Sequence, residues 1–379
     1  MERGSERSGE FALIDAFLQP FGLGRDGRAG AGPGIADIPG SASGAGSGVI
    51  VGPGDDCAQL LPSRGQVLVA TTDAVLDGVH FDLRRCTPED AGWKALAVNL
   101  SDLAAAGARP RWFLCALGVP KRALQRASAT SPRVAKFANP ARAGGGQDAL
   151  RIARRLGAGM AALAAQAGCA LAGGNVTSAL QWTLTLTALG EARRPLSRAG
   201  GRPGDLLVLA GTLGAAALGL RLLQRRRRPS GASERAAVAA QLRPKPLVAA
   251  GLAAATLASA AIDVSDGLLK DLGQLCARSG CGAVIDCSAL PRLASVVLAE
   301  AGDAQRGTHP YALSLGGGEE YALLLAVAPA RLGRLLSALA AAGSPGTPIG
   351  RLEAKRGVRL TDGTRALPLP LRAGFDHLA

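Results

Sequence analysis

Apolar residues recur with two different periods along the chain. In residues 182–189 apolar side chains alternate with threonines, which predicts a half-buried strand with one polar face. Residues 93–104 repeat apolar positions every three to four residues after Thr87 and Pro88, which are typical of a helix start. Segments of both kinds follow one another, so we expect a protein of mixed helix and sheet.

The same patterns predict further elements on both sides of residue 194. Strands are predicted at 67–72, 112–119, 169–172, 206–210, 261–264, 283–286 and 322–327. Helices are predicted at 149–166, 215–224, 247–259 and 267–277. Because 379 residues exceed a typical single domain and the pattern restarts after residue 194, we expect two α+β or α/β domains, 1–194 and 195–379.

Two segments interrupt this pattern. Residues 22–48 are nearly all Gly, Ala, Ser and Pro, and residues 122–146 are rich in Ala, Arg, Ser and Gly. Neither segment can bury enough apolar surface to offset its ordering entropy. We therefore expect both to be mobile low-complexity insertions at the surface.

Composition narrows the class of protein. Hydrophobic residues make up 48% of the chain, but no apolar run is long enough for a membrane helix. The first nine residues lack the apolar centre of a signal peptide. The seven cysteines form no CxxC pair, and three histidines make a zinc site improbable. These features predict a cytoplasmic protein without a membrane partner.

The net charge of +14 is the main bulk indication of a polyanion partner. Arginine is abundant throughout the chain, and the run Arg225–Arg228 follows a predicted helix and precedes Pro229. A solvated loop explains this run better than a polyanion contact. Since only 3% of residues are aromatic, stacking platforms for single strands are mostly missing, and nucleic acid is an unfavoured partner.

Acidic residues stand beside glycine or near the predicted end of a strand or helix in five places. These are Asp55-Asp56, Thr71-Thr72-Asp73, Ser101-Asp102, Asp263-Val264-Ser265-Asp266-Gly267 and Gly318-Glu319-Glu320. Mg²⁺ prefers a few carboxylates together with water and phosphate oxygens, and phosphoryl transfer needs little more than positioning and charge neutralisation. Any one of these motifs is usually a surface turn. Together they indicate a magnesium-dependent, ATP-using phosphotransferase.

Other phosphate-binding patterns fail. The chain contains no GxxxxGK[ST], which excludes a P-loop by pattern. Residues 22–27 match GxGxxG, but no strand precedes them and no helix follows. His80 lies beside Phe81, and from the residues alone a structural role is favoured for it over a functional one.

The acidic motifs, in their order, resemble those of the thiamine-monophosphate kinases, members of the aminoimidazole-ribonucleotide-synthetase-like superfamily. The resemblance also covers residues 9–14, 78–81, 94–104, 173–175, 196–200 and 374–377, and so most of the chain outside the insertions. It implies transfer of a phosphoryl group from ATP to thiamine monophosphate, without a phosphoenzyme. It also implies a homodimer formed through the sheet of an N-terminal ATP- and Mg-binding α+β domain, and a C-terminal α/β domain.

The resemblance assigns site residues by motif. Ligands of several Mg²⁺ ions are implied at Asp56, Thr71, Thr72, Asp73, Asp102, Asn175, Asp263 and Asp266. ATP contacts are implied at Gly174, Asn175, Arg198 and Ser265, and substrate contacts at His80, Glu319 and Phe375. No covalent nucleophile is implied. An aromatic face such as that of Phe375 suits a cationic thiazolium ring.

Four residues depart from the common family pattern. Asn175 stands where many members have a metal-binding Asp, and Ser178 where an Arg often follows. Glu320 and Ala322 replace a common Asp and Glu. These departures bear on metal number and substrate affinity more than on the class of reaction.

Two alternatives remain open from the sequence. Another enzyme of the superfamily is one, although a selenophosphate synthetase needs a reactive residue near the N-terminus and the first cysteine here is Cys57. A hydrogenase maturation factor ends in a functional cysteine, whereas this sequence ends in Ala379. The other alternative is a basic polyanion-binding protein, whose binding would weaken steeply with salt.

Overall fold

The computed structural model describes residues 9–23, 48–53, 57–121, 123, 145–370 and 374. Most of the two predicted insertions, and also Asp56 and Phe375, lie outside the described residues. The second insertion is shorter than predicted, because a helix already begins at Gly145. Asp148 lies in the first turn of that helix, where its charge is favourable beside the positive end of the helix dipole.

Contacts along the chain group it into two compact units. The first comprises Met1–Arg64, Ala70–Asn99 and Pro110–Leu189, and the second Gly65–Val69, Leu100–Arg109 and Gly190–Ala379. The two units therefore do not separate at a single residue, and the two short segments of the second unit carry no local pattern that marks them.

The described part of residues 1–194 contains three helices and two sheets. The helices are α1 (Gly9–Leu18), α2 (Pro88–Ala105) and α3 (Gly145–Ala167). The strands are β1 (Val49–Val51), β2 (Gln59–Leu60), β3 (Val67–Leu76), β4 (Arg109–Pro120), β5 (Ala170–Ala179) and β6 (Thr183–Ala192). β1 pairs with β2, and the other four form a sheet in the order β3-β6-β4-β5. Large side chains such as Trp112, Phe113 and Met160 are almost completely buried and form the core here.

All four strands of this sheet are longer than predicted, and the extensions of two of them contain predicted site residues. β3 continues to Leu76, so Thr71, Thr72 and Asp73 lie in the middle of a strand, and the prediction that they end one is wrong. Side chains of a strand stand out from its two faces, so polar groups need not interrupt the backbone pairing with β6. β5 likewise continues to Ala179.

The described part of residues 195–379 contains seven helices around one sheet. The helices are α4 (Ala215–Gln224), α5 (Ala232–Leu242), α6 (Val248–Ala254), α7 (Leu268–Ser279), α8 (Ala294–Ala304), α9 (Ala312–Gly316) and α10 (Leu332–Ala341). The strands are β7 (Leu206–Ala210), β8 (Ala260–Val264), β9 (Gly282–Asp286), β10 (Ala322–Val327), β11 (Gly346–Glu353), β12 (Gly357–Asp362) and β13 (Arg365–Leu367). Their order is β13-β12-β9-β11-β7-β10-β8, and only β12 and β9 pair in parallel.

Apolar side chains cover both faces of this sheet. Leu207 and Leu209 of β7 belong to one hydrophobic cluster, while the alternate residues Val208 and Ala210 belong to another. The six residues of β10 divide between the same two clusters and are all buried. Burial on both faces explains why the central strands appear in the sequence as continuous apolar runs.

One predicted helix of this half is shorter in the structure, and the predicted solvated loop is confirmed. The helix predicted at 247–259 ends at Ala254, where a turn closed by the Leu257 amide and the Ala254 carbonyl leads toward β8. The exposed run Arg225–Arg228 follows α4, as predicted for a solvated loop. Positive charge is favourable there because the carboxyl end of a helix is negative. No helix among the described residues is both long and apolar enough to cross a membrane.

Candidate active site

The most deeply buried acid of the predicted site is Asp263, the next-to-last residue of β8. Its side chain is 3% exposed, and the Ser101 hydroxyl of α2 donates a hydrogen bond of 2.8 Å to Asp263 Oδ2. Burial and, second, the charge of Asp102 raise the pKa of Asp263 to about 7, while the Ser101 hydrogen bond and the charge of Arg198 act in the opposite direction. Asp102, Asp263 and Arg198 therefore share one electrostatic site.

Arg198 is held beside this site by helix α7. Its guanidinium donates to Gln274 Oε1 at 2.6 Å, and its carbonyl accepts a hydrogen bond of 2.8 Å from the Ser279 hydroxyl. The Arg198 side chain is nevertheless exposed. The Arg198 guanidinium is thus held in place by helix α7 and remains accessible to an anionic ligand.

The loop that follows β8 carries Ser265 and Asp266. Asp266 forms an ion pair of 2.8 Å with Lys270, one turn further along the chain. The amides of Ser265, Asp266 and Gly267 all donate to Asp271 of α7. The last two residues of β8 and this loop, residues 263–267, form what we call the acidic loop, and its backbone at 265–267 is fixed from inside the second unit.

The segment 317–321 lies directly against that loop. The Glu319 amide donates to the Ser265 carbonyl at 2.6 Å, and the Tyr321 amide to the Val264 carbonyl at 2.8 Å. Glu319 and Tyr321 have positive φ angles of 64° and 51°, a backbone conformation that is uncommon for residues other than glycine. This constrained backbone brings the predicted substrate residue Glu319 beside the predicted metal loop.

Two further contacts complete this group. Gln241 of α5 donates to Glu319 Oε2 at 2.7 Å. At Gly374 an added Cβ atom would stand only 2.6 Å from the Asp266 carbonyl oxygen, so the chain just before Phe375 also lies against the loop. The fold of the second unit therefore brings together residues that are far apart in the sequence: 102, 198, 263–266, 319 and 374.

Glu320 does not belong to this group, although it departs from the family pattern. Its carboxylate accepts hydrogen bonds of 3.1, 3.2 and 3.3 Å from the amides of Ala215, Ala216 and Ala217 at the start of α4. Burial raises the pKa of the Glu320 carboxyl to about 8, against the opposing effect of these amide donors. Glu320 therefore connects the 317–321 segment to α4.

The first unit carries the predicted residues of β3. The Thr72 hydroxyl donates to the Leu186 carbonyl of β6 at 2.9 Å and accepts from the Thr187 hydroxyl at 3.2 Å. Asp73, next along the strand, is half-buried. These contacts fix the strand on which Asp73 stands.

Gly174 and Asn175 lie in β5 of the same sheet, paired with Cys115 and Ala116 of β4. A Cβ atom at position 174 would come within 2.0 Å of the Cys115 carbonyl oxygen, so the strand pairing itself requires glycine there. Asn175 is exposed and can offer its amide oxygen to a ligand.

His80 is anchored in the turn that follows β3. Its Nδ1 accepts a hydrogen bond of 3.2 Å from the Leu76 amide, and its carbonyl accepts one of 2.9 Å from the buried ammonium of Lys94. The ring therefore has a structural contact through one nitrogen. A structural and a substrate-binding role are compatible at this position.

The residues present suit a hard cation such as Mg²⁺. In the part of the chain that the structure describes, no three His, Cys, Asp or Glu side chains are grouped closely enough to hold a metal ion. Asp102 and Asp263 nonetheless place two like charges in one site, a cost that a bound cation removes. Mg²⁺ commonly takes only one or two carboxylates, with water and phosphate oxygens as its other ligands.

Sequence reasoning missed three residues that shape the site: Ser101, Gln241 and Asp271. Ser101 is adjacent to the predicted ligand Asp102, and Asp271 lies four residues after Gly267 in the first turn of α7. An acid in the first turn is a recognisable signal for a helix start. Gln241 carries no comparable signal, because only the fold brings it to Glu319.

Comparison with known proteins identifies first a class and then a family. Residues 54–192 match the N-terminal domain model of AIR synthase related proteins, and residues 202–363 match the corresponding C-terminal domain model. The chain is 35% identical over 334 residues to the thiamine-monophosphate kinase of Salmonella typhimurium strain LT2, covering 87% of this chain and 93% of the relative. The chain belongs to the thiamine-monophosphate kinase family and has its two-domain AIR synthase-like fold.

Solved structures agree with this assignment. The crystal structure of thiamine-monophosphate kinase from Stenotrophomonas maltophilia K279a superimposes with a TM-score of 0.71 at 33% identity, covering 94% of this chain and 98% of that one. AaThiL complexed with AMPPCP and TMP gives a TM-score of 0.65 at 29% identity, covering 82% and 88%.

Proposed function

We propose that this chain transfers the γ-phosphoryl group of ATP directly to the phosphate of thiamine monophosphate, giving ADP and thiamine diphosphate. The observation that carries the proposal is the site of the second unit in which buried Asp263 lies within the field of Asp102 and Arg198. Two carboxylates for a cation and one accessible guanidinium for phosphate suit an ATP-dependent kinase. The thiamine-monophosphate kinase relatives supply the choice of substrate.

The proposed metal ligands are those that the family resemblance implies. Several Mg²⁺ ions would be held by Asp56, Thr71, Thr72, Asp73, Asp102, Asn175, Asp263 and Asp266. Bound Mg²⁺ would neutralise phosphate charge and polarise the transferred group. Ser101 supports this role by orienting the Asp263 carboxylate, and the β6 contacts of Thr72 support it by fixing β3.

The proposed ligand contacts follow the same arrangement. ATP would be bound by Gly174, Asn175, Arg198 and Ser265, and thiamine monophosphate by His80, Glu319 and Phe375. The hydrogen bonds from Arg198 to Gln274 and from Gln241 to Glu319 orient one member of each set. Preorganised side chains of this kind lower the cost of ordering the site when ligands bind.

The test is a direct assay of the purified protein. Incubation with ATP, thiamine monophosphate and varied Mg²⁺ should give thiamine diphosphate, resolved by chromatography, and ADP in a ratio of one to one. ADP formed without thiamine diphosphate would indicate a different acceptor. No product at any Mg²⁺ concentration would overturn the proposal.

We also propose that the protein is a cytoplasmic homodimer. All seven cysteines are free thiols, which suits a reducing compartment. β3 is an edge strand, and Val67 and Leu68 at its start are about half exposed, at 48% and 49%. Apolar residues on an open edge favour a partner strand or sheet. Light scattering on a size-exclusion column should give twice the chain mass of 38.1 kDa, and Leu68→Glu should reduce it to that mass.

A further inference from the structure

One carboxylate oxygen of Asp271 accepts hydrogen bonds from consecutive backbone amides of the acidic loop 263–267. Its Oδ2 accepts hydrogen bonds from the amides of Ser265 at 3.0 Å, Asp266 at 3.0 Å and Gly267 at 3.1 Å. The side chain is 1% exposed, so solvent does not compete for these bonds. Three consecutive amides therefore converge on a single buried acceptor.

The loop needs such an acceptor because it joins two elements very abruptly. β8 ends at Val264 and α7 begins at Leu268, and Gly267 between them has a φ of 123°. The amides at this turn have no ladder or helix partner of their own, and an unpaired buried amide is costly. Gly267, the residue at the helix N-cap, has no side chain that could cap it. Asp271 supplies the missing acceptor from inside the helix.

The choice of an acid here has a chemical consequence. Consecutive free amides at the start of a helix form a ready site for phosphate. In this chain the carboxylate of Asp271 already occupies that position, so the amides face the protein interior. An anionic ligand then has no direct contact with these amides, and the loop can meet it only through its side chains or through a cation that they hold.

We propose that Asp271 is a positioning residue that makes the 263–267 loop a cation-binding loop. By turning the three amides inward, it holds the backbone from which Asp263 and Asp266 present their carboxylates to the metal-bound nucleotide. This inference rests on the proposed metal role of Asp263 and Asp266. It adds a residue that contacts neither metal nor substrate.

A matched control exists at the opposite end of β8. Asp205 is 5% exposed, and its Oδ2 accepts hydrogen bonds from the Arg202 amide at 3.0 Å and the Ser259 hydroxyl at 2.6 Å. Ser259 precedes Asp263 by four strand positions, which corresponds to about 13 Å along a strand. Asp205 is therefore a buried, amide-binding acid of the same sheet that lies away from the acidic loop.

The experiment measures cation binding without turnover. Mn²⁺ is titrated into the full-length protein with AMPPCP present, and free Mn²⁺ is followed by electron paramagnetic resonance, for wild type, Asp271→Ala, Asp271→Asn and Asp205→Asn. Circular dichroism establishes that each variant is folded. Asp271→Ala should weaken Mn²⁺ binding at least tenfold and raise the KM for Mg-ATP. Asp271→Asn, which keeps one acceptor oxygen, should be intermediate, and Asp205→Asn should stay within twofold of wild type.

The outcomes separate the inference from the proposed function. Mn²⁺ affinity within twofold of wild type in folded Asp271→Ala would overturn the positioning role; if that variant does not fold, the same result for Asp271→Asn would do so. Equal weakening by Asp205→Asn would also overturn it, because the effect would then reflect general destabilisation. A wild-type protein that binds Mn²⁺ with AMPPCP but makes no thiamine diphosphate would instead contradict the proposed function.

Discussion

The two units present their acids in opposite ways. Asp73 stands half-buried in the middle of β3, where ordinary strand pairing fixes its backbone. Asp263, near the end of β8, is 3% exposed, and Asp266 lies in the sharp turn that follows, which is held by the carboxylate of Asp271. A half-buried acid costs the fold little, whereas a buried acid such as Asp263 must be stabilised by neighbours such as Ser101.

This difference means that the same substitution should have different consequences in the two units. Removing a half-buried carboxylate from a strand changes ligand binding alone. Removing a buried one also relieves desolvation and like-charge repulsion, because Asp102 and Asp271 both act on Asp263. Function and stability should therefore change in opposite directions at Asp263, whereas only function should change at Asp73.

The largest effect is expected for Asp73→Asn. Loss of one metal-binding charge should lower kcat by roughly 10³-fold, the scale seen when a key electrostatic group is removed from an active site. The melting temperature should change by less than about 2 °C, because the substitution is nearly isosteric and keeps the backbone pairing of β3. Steady-state assays and calorimetry measure both quantities.

Asp148→Asn is the matched control for that substitution. Asp148 is an exposed acid of the first unit whose side chain pairs only at the surface with Arg151. The activity of the Asp148→Asn variant should equal that of wild type. Full activity of Asp73→Asn would exclude Asp73 as a metal ligand. It would also contradict the functional role assigned here to the half-buried acid of β3.

Asp263→Asn should show the separation of function and stability. We expect kcat to fall by roughly 10²-fold to 10³-fold. The free energy of unfolding at pH 7.5 should rise by roughly 1–3 kcal/mol, because a neutral amide avoids the cost that raises the pKa of Asp263. The Ser101 hydroxyl can still donate to the amide oxygen. A lower unfolding free energy for this variant, measured by urea denaturation, would contradict the assigned cost of the buried charge.

Local pattern predicted the central elements of the fold well. The strand at Leu206–Ala210 and the helix at Ala215–Gln224 have the predicted bounds. A short buried apolar run and an amphipathic period each indicate a single type of element at these positions. β3 and β5 were predicted too short, because polar residues and glycines look like strand ends in a sequence. In the structure these residues continue the strand with their side chains on its faces.

The supporting contacts of the site could not be predicted in this way. The bond between Ser101 and Asp263 joins residues 162 positions apart, and that between Gln241 and Glu319 joins residues 78 apart. The acids themselves were found because carboxylates beside glycine carry a local signal. Their partners are ordinary polar residues, which become informative only when the fold places them in contact.

A smaller effect, on the pH dependence of stability, is expected at Glu320. Like Asp271, its carboxylate accepts hydrogen bonds from three consecutive amides. Its pKa of about 8 lies above the ordinary value of 4.5, so the folded protein holds this proton more tightly than the unfolded chain. Its contribution to stability is complete below about pH 4.5 and is lost as the pH rises through about 8. The slope reaches at most about 1.4 kcal/mol per pH unit.

Glu320→Gln should remove this part of the pH dependence. The melting temperature of wild type should fall relative to that of the variant between pH 5 and pH 8, measured by calorimetry at equal ionic strength. Parallel curves would mean that Glu320 is ionised throughout and that its amide donors outweigh its burial.

The smallest effect is expected for Asn175→Asp, which places a carboxylate on strand β5 of the first unit. Asn175 is exposed in β5, so an added charge there has little desolvation cost and should leave the melting temperature unchanged. If position 175 contacts a metal ion, the Mg²⁺ concentration for half-maximal activity should fall about twofold to fivefold, since a carboxylate binds Mg²⁺ better than an amide oxygen does. Ser178→Asp adds the same charge to the same strand and controls for a general field effect. An unchanged Mg²⁺ requirement in Asn175→Asp would exclude position 175 as a primary ligand, and the proposed metal ligands of this sheet would then be those of β3.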